Sequence, residues 1–241
     1  MNYRSSNSPV AAEAFPFAMP VLVITFVAFA LGWQTLGVIA FFLFVYVLAF
    51  FRNPERYGTR NPDEIISGAD GKIVAAGIVP HPDFPDGQCL RIAIFMNVFD
   101  VHINWAPCAG EVTATTYYPG KFLNAMEDKC AEENERKVIA MRAHNGLTVI
   151  VKLVAGLVAR RIVCPLEAGD VLKKGDKIGL IRFGSRVELL LPASCQLHVH
   201  VGQRVRGGES VVATLPPGVP SGFSELKQGD EQIARDTIEQ P

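Results

Sequence analysis

Three short stretches of this chain place side chains where they could do chemistry. In Phe99-Asp100-Val101-His102-Ile103-Asn104, an extended backbone would put Asp100, His102 and Asn104 on one face and Val101 and Ile103 on the other. A carboxylate beside a histidine can fix its tautomer and raise its pKa, which suits proton transfer; a hydrogen-bonded strand face at a domain rim accounts for the same residues. Ser67-Gly68-Ala69-Asp70-Gly71-Lys72 offers Asp70, although Asp-Gly alone is a routine turn signal. The third stretch is Ile181-Arg182-Phe183-Gly184-Ser185-Arg186-Val187. A serine hydroxyl held against the carbonyl of a preceding glycine can attack it. The amide then becomes an ester, which eliminates and hydrolyses to leave an N-terminal pyruvoyl group. Glycine suits that attack because it hinders nothing and tolerates unusual dihedrals, but a Gly-Ser dipeptide by itself carries no information.

Two further groupings lead elsewhere. Leu197-His198-Val199-His200 would set two rings on one strand face, as a zinc site requires. A zinc-dependent hydrolase using His198 and His200, completed by His102 and Asp100, is therefore one alternative. Asp128-Lys129-Cys130-Ala131 superficially resembles the modified segment of a lipoyl or biotinyl carrier, which makes a non-catalytic, membrane-tethered binding module the other.

The elements that must hold these residues read mostly as strand. β-branched runs recur at residues 73–74, 90–95, 147–154, 160–163, 187–191 and 211–213, separated by Asp-Gly, Asn-Gly and Gly-Asp turns. Lys121 to Val138 reads as an irregular or helical insert. Gly169-Asp-Val-Leu-Lys-Lys-Gly175-Asp and Gly202-Gln-Arg-Val-Arg-Gly-Gly208-Glu form a weak internal repeat, similar to the hammerhead turns of barrel-sandwich hybrid folds. The expected fold is mainly β, barrel-sandwich-hybrid-like.

Ahead of it, no charged residue occurs from Ala14 to Phe51. Two apolar runs there, 15–33 and 36–51, would be roughly 28 and 24 Å long as helices, against a hydrocarbon core of about 30 Å. They predict a transmembrane or re-entrant helical hairpin. Arg4 precedes it and Arg52, Arg56 and Arg60 follow it, which puts both ends in the cytoplasm. A signal peptide fits less well, because the apolar length is too great and no A-x-A site follows. The five cysteines form no CxxC pair and are odd in number, which suits a reducing compartment. A net charge of −1 gives no electrostatic case for nucleic acid. The expected organisation is a polar N-terminus (1–14), the hairpin (15–51), a linker (52–66), a catalytic domain (67–215) and a disordered tail (216–241).

Six blocks occur in order: Ser-Gly-Ala-Asp-Gly-Lys (67–72), Phe-Met-Asn-Val-Phe-Asp-Val-His-Ile-Asn (95–104), Tyr-Pro-Gly-Lys-Phe-Leu-Asn-Ala (118–125), Asn-Glu-Arg (134–136), Ala-Gly-Leu-Val-Ala-Arg-Arg-Ile-Val-Cys (155–164) and Ile-Arg-Phe-Gly-Ser-Arg (181–186). Together they closely resemble the short bacterial and archaeal class of phosphatidylserine decarboxylases, over roughly residues 50–214. The resemblance implies cleavage between Gly184 and Ser185 and a covalent pyruvoyl group derived from Ser185. It implies a large subunit (1–184) paired with a small one (185–241), at the cell (inner) membrane with the catalytic domain cytoplasmic. Asp70 and His102 would assist cleavage, and His102 would return the proton after carbon dioxide leaves a Schiff base between the pyruvoyl group and the lipid's serine amine. No metal is implied. Lys121, Arg136, Arg160, Arg161 and Arg186 are the cations available to the substrate's phosphate and carboxylate. Longer members carry a second histidine three places after the first, where this chain has Trp105. Its share then falls on His102, Asp70 or water.

Overall fold

A computed structural model describes residues 8–157, 162–182 and 184–217. Two apolar helices come first, α1 (Phe15–Ala30) and α2 (Gln34–Phe50), turned back on each other through Gly32 at φ 74°. With its preceding turn, the first (Ala12–Ala30) is long and apolar enough to cross a membrane, whereas the second is shorter. They meet through small residues: Ala18, Thr25 and Ala28 of α1 and Gly37 and Ala40 of α2 are buried. A β-carbon on Gly37 would lie 2.7 Å from the Phe29 ring, so the glycine is what lets the helices approach this closely. Phe26, Ile39 and Phe42 point outward, exposed. An uncovered apolar sheath of this extent calls for lipid rather than water.

The remainder is built almost wholly of strands: β1 (Glu64–Ile66), β2 (Gly71–Pro80), β3 (Gln88–Met96), β4 (Ile103–Trp105), β5 (Gly110–Tyr118), β6 (Arg136–Ala143), β7 (Thr148–Ala155), β8 (Ile162–Val163), β9 (Val171–Leu172), β10 (Lys177–Ile181), β11 (Ser185–Pro192), β12 (Gln196–Leu197), β13 (Arg204–Val205) and β14 (Val211–Thr214). One short helix, α3 (Cys130–Glu133), interrupts them. An antiparallel, curled sheet runs β13-β2-β3-β11-β7-β6-β5-β9, flanked by β1-β14-β12 and β4-β10-β8. The expected mainly β domain behind a helical hairpin is the fold observed. The two copies of the glycine repeat carry β9 and β13, which form the opposite edges of the large sheet. The core takes one face of the central strands, with Ile73, Ile94, Ile139, Val151 and Leu189 fully buried.

Several local expectations shift. β1 falls inside the segment read as linker and pairs with β14. The insert expected over 121–138 contains α3 and then yields to β6, which pairs along its length with β5 and β7. Asp100, His102 and Asn104 do not share a strand, because β4 begins only at Ile103. Asp100 instead closes a turn in which its carboxylate accepts the Asn97 N–H (2.9 Å). Residues 1–7 and the tail from 218 lie outside the described residues, as does Phe183.

Candidate active site

Sheet register gathers the site at one end of the central strands. β11 lies between β3 and β7, and its first residue, Ser185, pairs with Met96 on one side and Ala155 on the other. Asp70 immediately precedes β2, while the turn bearing Asp100 and His102 follows β3. Gly184 occupies the bend between β10 and β11 at φ 66°, a left-handed conformation that residues with a side chain adopt at a cost. The junction between Gly184 and Ser185 is thus a corner where a buried strand begins.

Gly156, just past β7, faces that corner. A β-carbon there would sit 2.2 Å from the Gly184 carbonyl oxygen and 3.2 Å from Cβ of Ala125. Residue 156 must therefore lack a side chain for the carbonyl to occupy its place. Asn134, fully buried, braces the same corner: its amide donates to the carbonyls of Leu123 (3.0 Å) and Ala155 (2.8 Å) and accepts from the Leu123 N–H (2.8 Å).

Ser185 is fully buried, and its Oγ donates to Sδ of Met96 at 3.2 Å. A thioether is a weak acceptor, so little holds the hydroxyl back from its own neighbouring carbonyl. Asn104 donates to the same sulfur at 3.6 Å, and its Oδ1 is buried with no hydrogen-bond partner. An orphaned amide oxygen costs about 1–3 kcal/mol and is an acceptor still able to take a donor. The corner, the weakly held hydroxyl and this acceptor fit a reactive carbonyl made from Ser185 itself.

His102 is 1% exposed. Its Nε2 accepts the Gly184 N–H at 3.3 Å, and its Nδ1 lies 2.9 Å from the Asp100 carbonyl oxygen. A nitrogen that accepts is unprotonated, so the proton resides on Nδ1 and is donated to Asp100. Burial pushes the imidazole down to about 4; the Asp100 carbonyl and carboxylate oppose this, and the Arg52 charge adds to it. The Phe50 ring covers it with centroids 4.3 Å apart.

Asp70 is held by other partners. Its carboxylate binds Arg56 (2.7 Å) and the Gly207 N–H (2.7 Å). Burial raises its pKa, with Arg56 pulling the other way. Asp70 and Asp100 line a cleft of about 400 Å³ with Arg204, Val205 and Arg206, where Arg204 pairs with Asp100. Trp105 is buried beneath the Arg56 guanidinium (5.3 Å to the ring centroid) and against Gly207. At the position of the longer members' second histidine, this chain has a packing residue.

The expected cations separate. Lys121 is exposed and paired with Glu133 (3.0 Å). Arg136 lies over the Tyr118 ring at 4.4 Å. Arg186 is fully buried and bound to Glu188 (2.7 Å) and Asp128 (2.9 Å). Arg160 and Arg161 lie outside the described residues. His198 bonds Thr214 Oγ1 (2.7 Å) and His200 its neighbour's carbonyl (3.1 Å). Among the described residues no group of three or more His, Cys, Asp or Glu side chains is assembled as a metal site. Lys129 caps α3 rather than a hairpin tip. The five cysteines are all free.

Gly156, Asn134, Met96 and Phe50 escaped the sequence reading as site residues. The first three lay within blocks already singled out, and for Gly156 and Asn134 the residue types were the available signal: a glycine directly after a strand and an asparagine between charged residues.

A sequence profile of the phosphatidylserine decarboxylase family matches residues 43–213. The phosphatidylserine decarboxylase proenzyme of Desulfotalea psychrophila is 44% identical over 207 residues, covering 86% of this chain and 97% of that protein. That of Magnetococcus marinus is 42% identical over 209 residues (86% and 95%), and that of Geotalea uraniireducens 40% over 215 (88% and 100%). With a family match across most of its length and relatives this similar almost end to end, the chain belongs to the phosphatidylserine decarboxylase family.

Proposed function

We propose that this chain is a membrane-held carboxy-lyase that converts phosphatidylserine to phosphatidylethanolamine and carbon dioxide, after cutting itself between Gly184 and Ser185. The observation that carries the self-cutting is the corner itself: a left-handed glycine, a buried serine with a weakly held hydroxyl, and Gly156, whose missing side chain makes room for the glycine carbonyl.

The cut balances without a co-reactant other than water. Ser185 Oγ adds to the Gly184 carbonyl carbon, and the bond to the Ser185 nitrogen breaks, leaving an ester and a free amine. Loss of the Ser185 α-proton expels the Gly184 carboxylate and leaves a dehydroalanine. Water then replaces its nitrogen with oxygen, and ammonia departs. A carbonyl at position 185 supplies the electron sink that decarboxylation at an amino-acid α-carbon needs.

The chain's own residues do the rest. His102, neutral with Nε2 accepting the Gly184 N–H, holds Gly184 in register; we assign it to proton return, for which Nε2 first takes up a proton from water. Asn104 Oδ1 accepts from the nitrogen released at the cut. Burial of Ser185 keeps bulk water from the reacting carbon. Asp70 assists cleavage through the turn it ties down at Gly207. Arg186 is committed to Glu188 and Asp128, so headgroup recognition falls to Lys121, Arg136, Arg160 and Arg161. The apolar hairpin holds the site at the lipid surface, in the cell (inner) membrane. Arg52, Arg56 and Arg60 favour a cytoplasmic catalytic domain.

Intact mass analysis of the wild-type chain beside Ser185→Ala tests the reading. Two pieces meeting after Gly184 are expected from the wild type, the smaller lighter than its serine-started sequence by one ammonia, and a single whole chain from the variant. A whole, unmodified wild-type chain would overturn self-cutting.

A further inference from the structure

We propose that the membrane hairpin is part of the active site as well as its anchor: Phe50, the last residue of α2, is a positioning residue that holds the His102 ring against Gly184, so that self-cutting depends on the hairpin being seated. The proposal rests on the self-cutting reading above.

The two hydrogen bonds of His102 act at the edges of its ring, and neither keeps water from its faces. Phe50 covers one face, with centroids 4.3 Å apart and planes inclined at 31°, and is itself 2% exposed. This contact belongs to a larger seat. Phe50 and Phe51 pack with Val101, Ile103, Trp105 and Leu180 in a cluster separate from the main core. Arg52, directly after, donates to the Phe99 carbonyl at 2.7 Å. The hairpin thus grips both the turn that carries His102 and the strand that follows it.

Among the described residues, two charges act on the ring. Asp100, on its own turn, favours the protonated imidazole, while Arg52 at the hairpin's end disfavours it. Arg182, from the β10–β11 junction, is turned onto the Phe17 ring of α1 at 5.3 Å. Desolvation is the largest influence on this histidine, and a displaced hairpin removes both Phe50 and Arg52. Water would then reach the ring, and below about pH 6.5 a proton would occupy Nε2 and the acceptor for the Gly184 N–H would be lost. A chain whose hairpin is not yet seated would therefore lose cutting in mild acid, where a seated chain keeps it.

The test uses the full chain in detergent micelles, comparing wild type, Phe50→Ala and Phe50→Leu, with Phe42→Leu on the exposed face of α2 as control. Cut fraction against time is followed across pH. The His102 titration is followed by NMR in the uncut Ser185→Ala background, with and without the Phe50 changes. The expected result is a His102 midpoint near about 4 in the parent and in the control. In the Phe50 variants it moves toward 6.5, and cutting relative to the parent falls about tenfold for each pH unit below that raised midpoint, down to the parent's own midpoint. Should Phe50→Ala fail to fold, Phe50→Leu keeps apolar volume while losing the flat ring. A wild-type chain that cuts normally, beside Phe50 variants with the parent's titration, overturns the role of Phe50 alone; so does uniform slowing at every pH, which marks a merely structural contact. A wild-type chain that never cuts overturns the self-cutting reading and this proposal with it.

Discussion

Gly156 and Gly184 approach so closely that a β-carbon on the first would stand 2.2 Å from the carbonyl oxygen of the second. Ordinary contact needs roughly 1 Å more, and a misplacement of that size at a reacting atom can cost about 100-fold in rate. Gly156→Ala is therefore expected to slow cutting by about that factor. Cut fraction over time, read by intact mass, checks this, with melting temperature as control. Cutting at the wild-type rate would show that the carbonyl does not use this space.

Acid should weaken the fold through His102. Its folded pKa, about 4, lies below the ordinary 6.5, so between those values the unfolded chain binds the proton and the folded one resists it. The contribution is fully present above about pH 6.5 and is lost progressively as pH falls toward 4, to a total of roughly 3 kcal/mol. Thermal melts of the uncut Ser185→Ala chain at about pH 7 and about pH 4.5 should differ accordingly. Adding His102→Gln should shrink the difference; an undiminished one would assign the acid loss to other groups.

Arg186 and Glu188 form a buried ion pair in the most enclosed strand of the sheet. Arg186→Met leaves Glu188 buried and uncompensated, with an expected loss of about 3–5 kcal/mol. Replacing both with apolar residues should recover most of it. Denaturant unfolding of the uncut chain measures this. A variant that kept its stability but raised KM for the lipid would return Arg186 to headgroup binding.

The sequence made the hairpin and the order of the motifs legible because both are local. An uncharged stretch and a run of short blocks need no partner to be seen. The glycine repeat was legible too, and its two copies do carry the edge strands β9 and β13. What stayed hidden depended on register. Nothing near Gly156 says that it faces Gly184; only the pairing of Ala155 with Ser185 does. Arg186 read as an available cation, yet pairing of its strand on both sides buries it. β5 escaped notice because Glu111, Thr113 and Thr116 to Tyr118 leave it few buried side chains. Phe50 read only as part of the apolar run 36–51, and the folded chain brings it to His102.

β11 has a further consequence through its position. A chain severed ahead of Ser185 loses one peptide bond, but that strand remains hydrogen-bonded to β3 and β7, and β13 and β14 remain bonded to β2 and β1. The second piece is woven through the first rather than docked on it. Severance would leave no interface that can dissociate while the sheet stands: the two polypeptides would share one unfolding transition, and exchange of fragments between molecules would require complete denaturation of both.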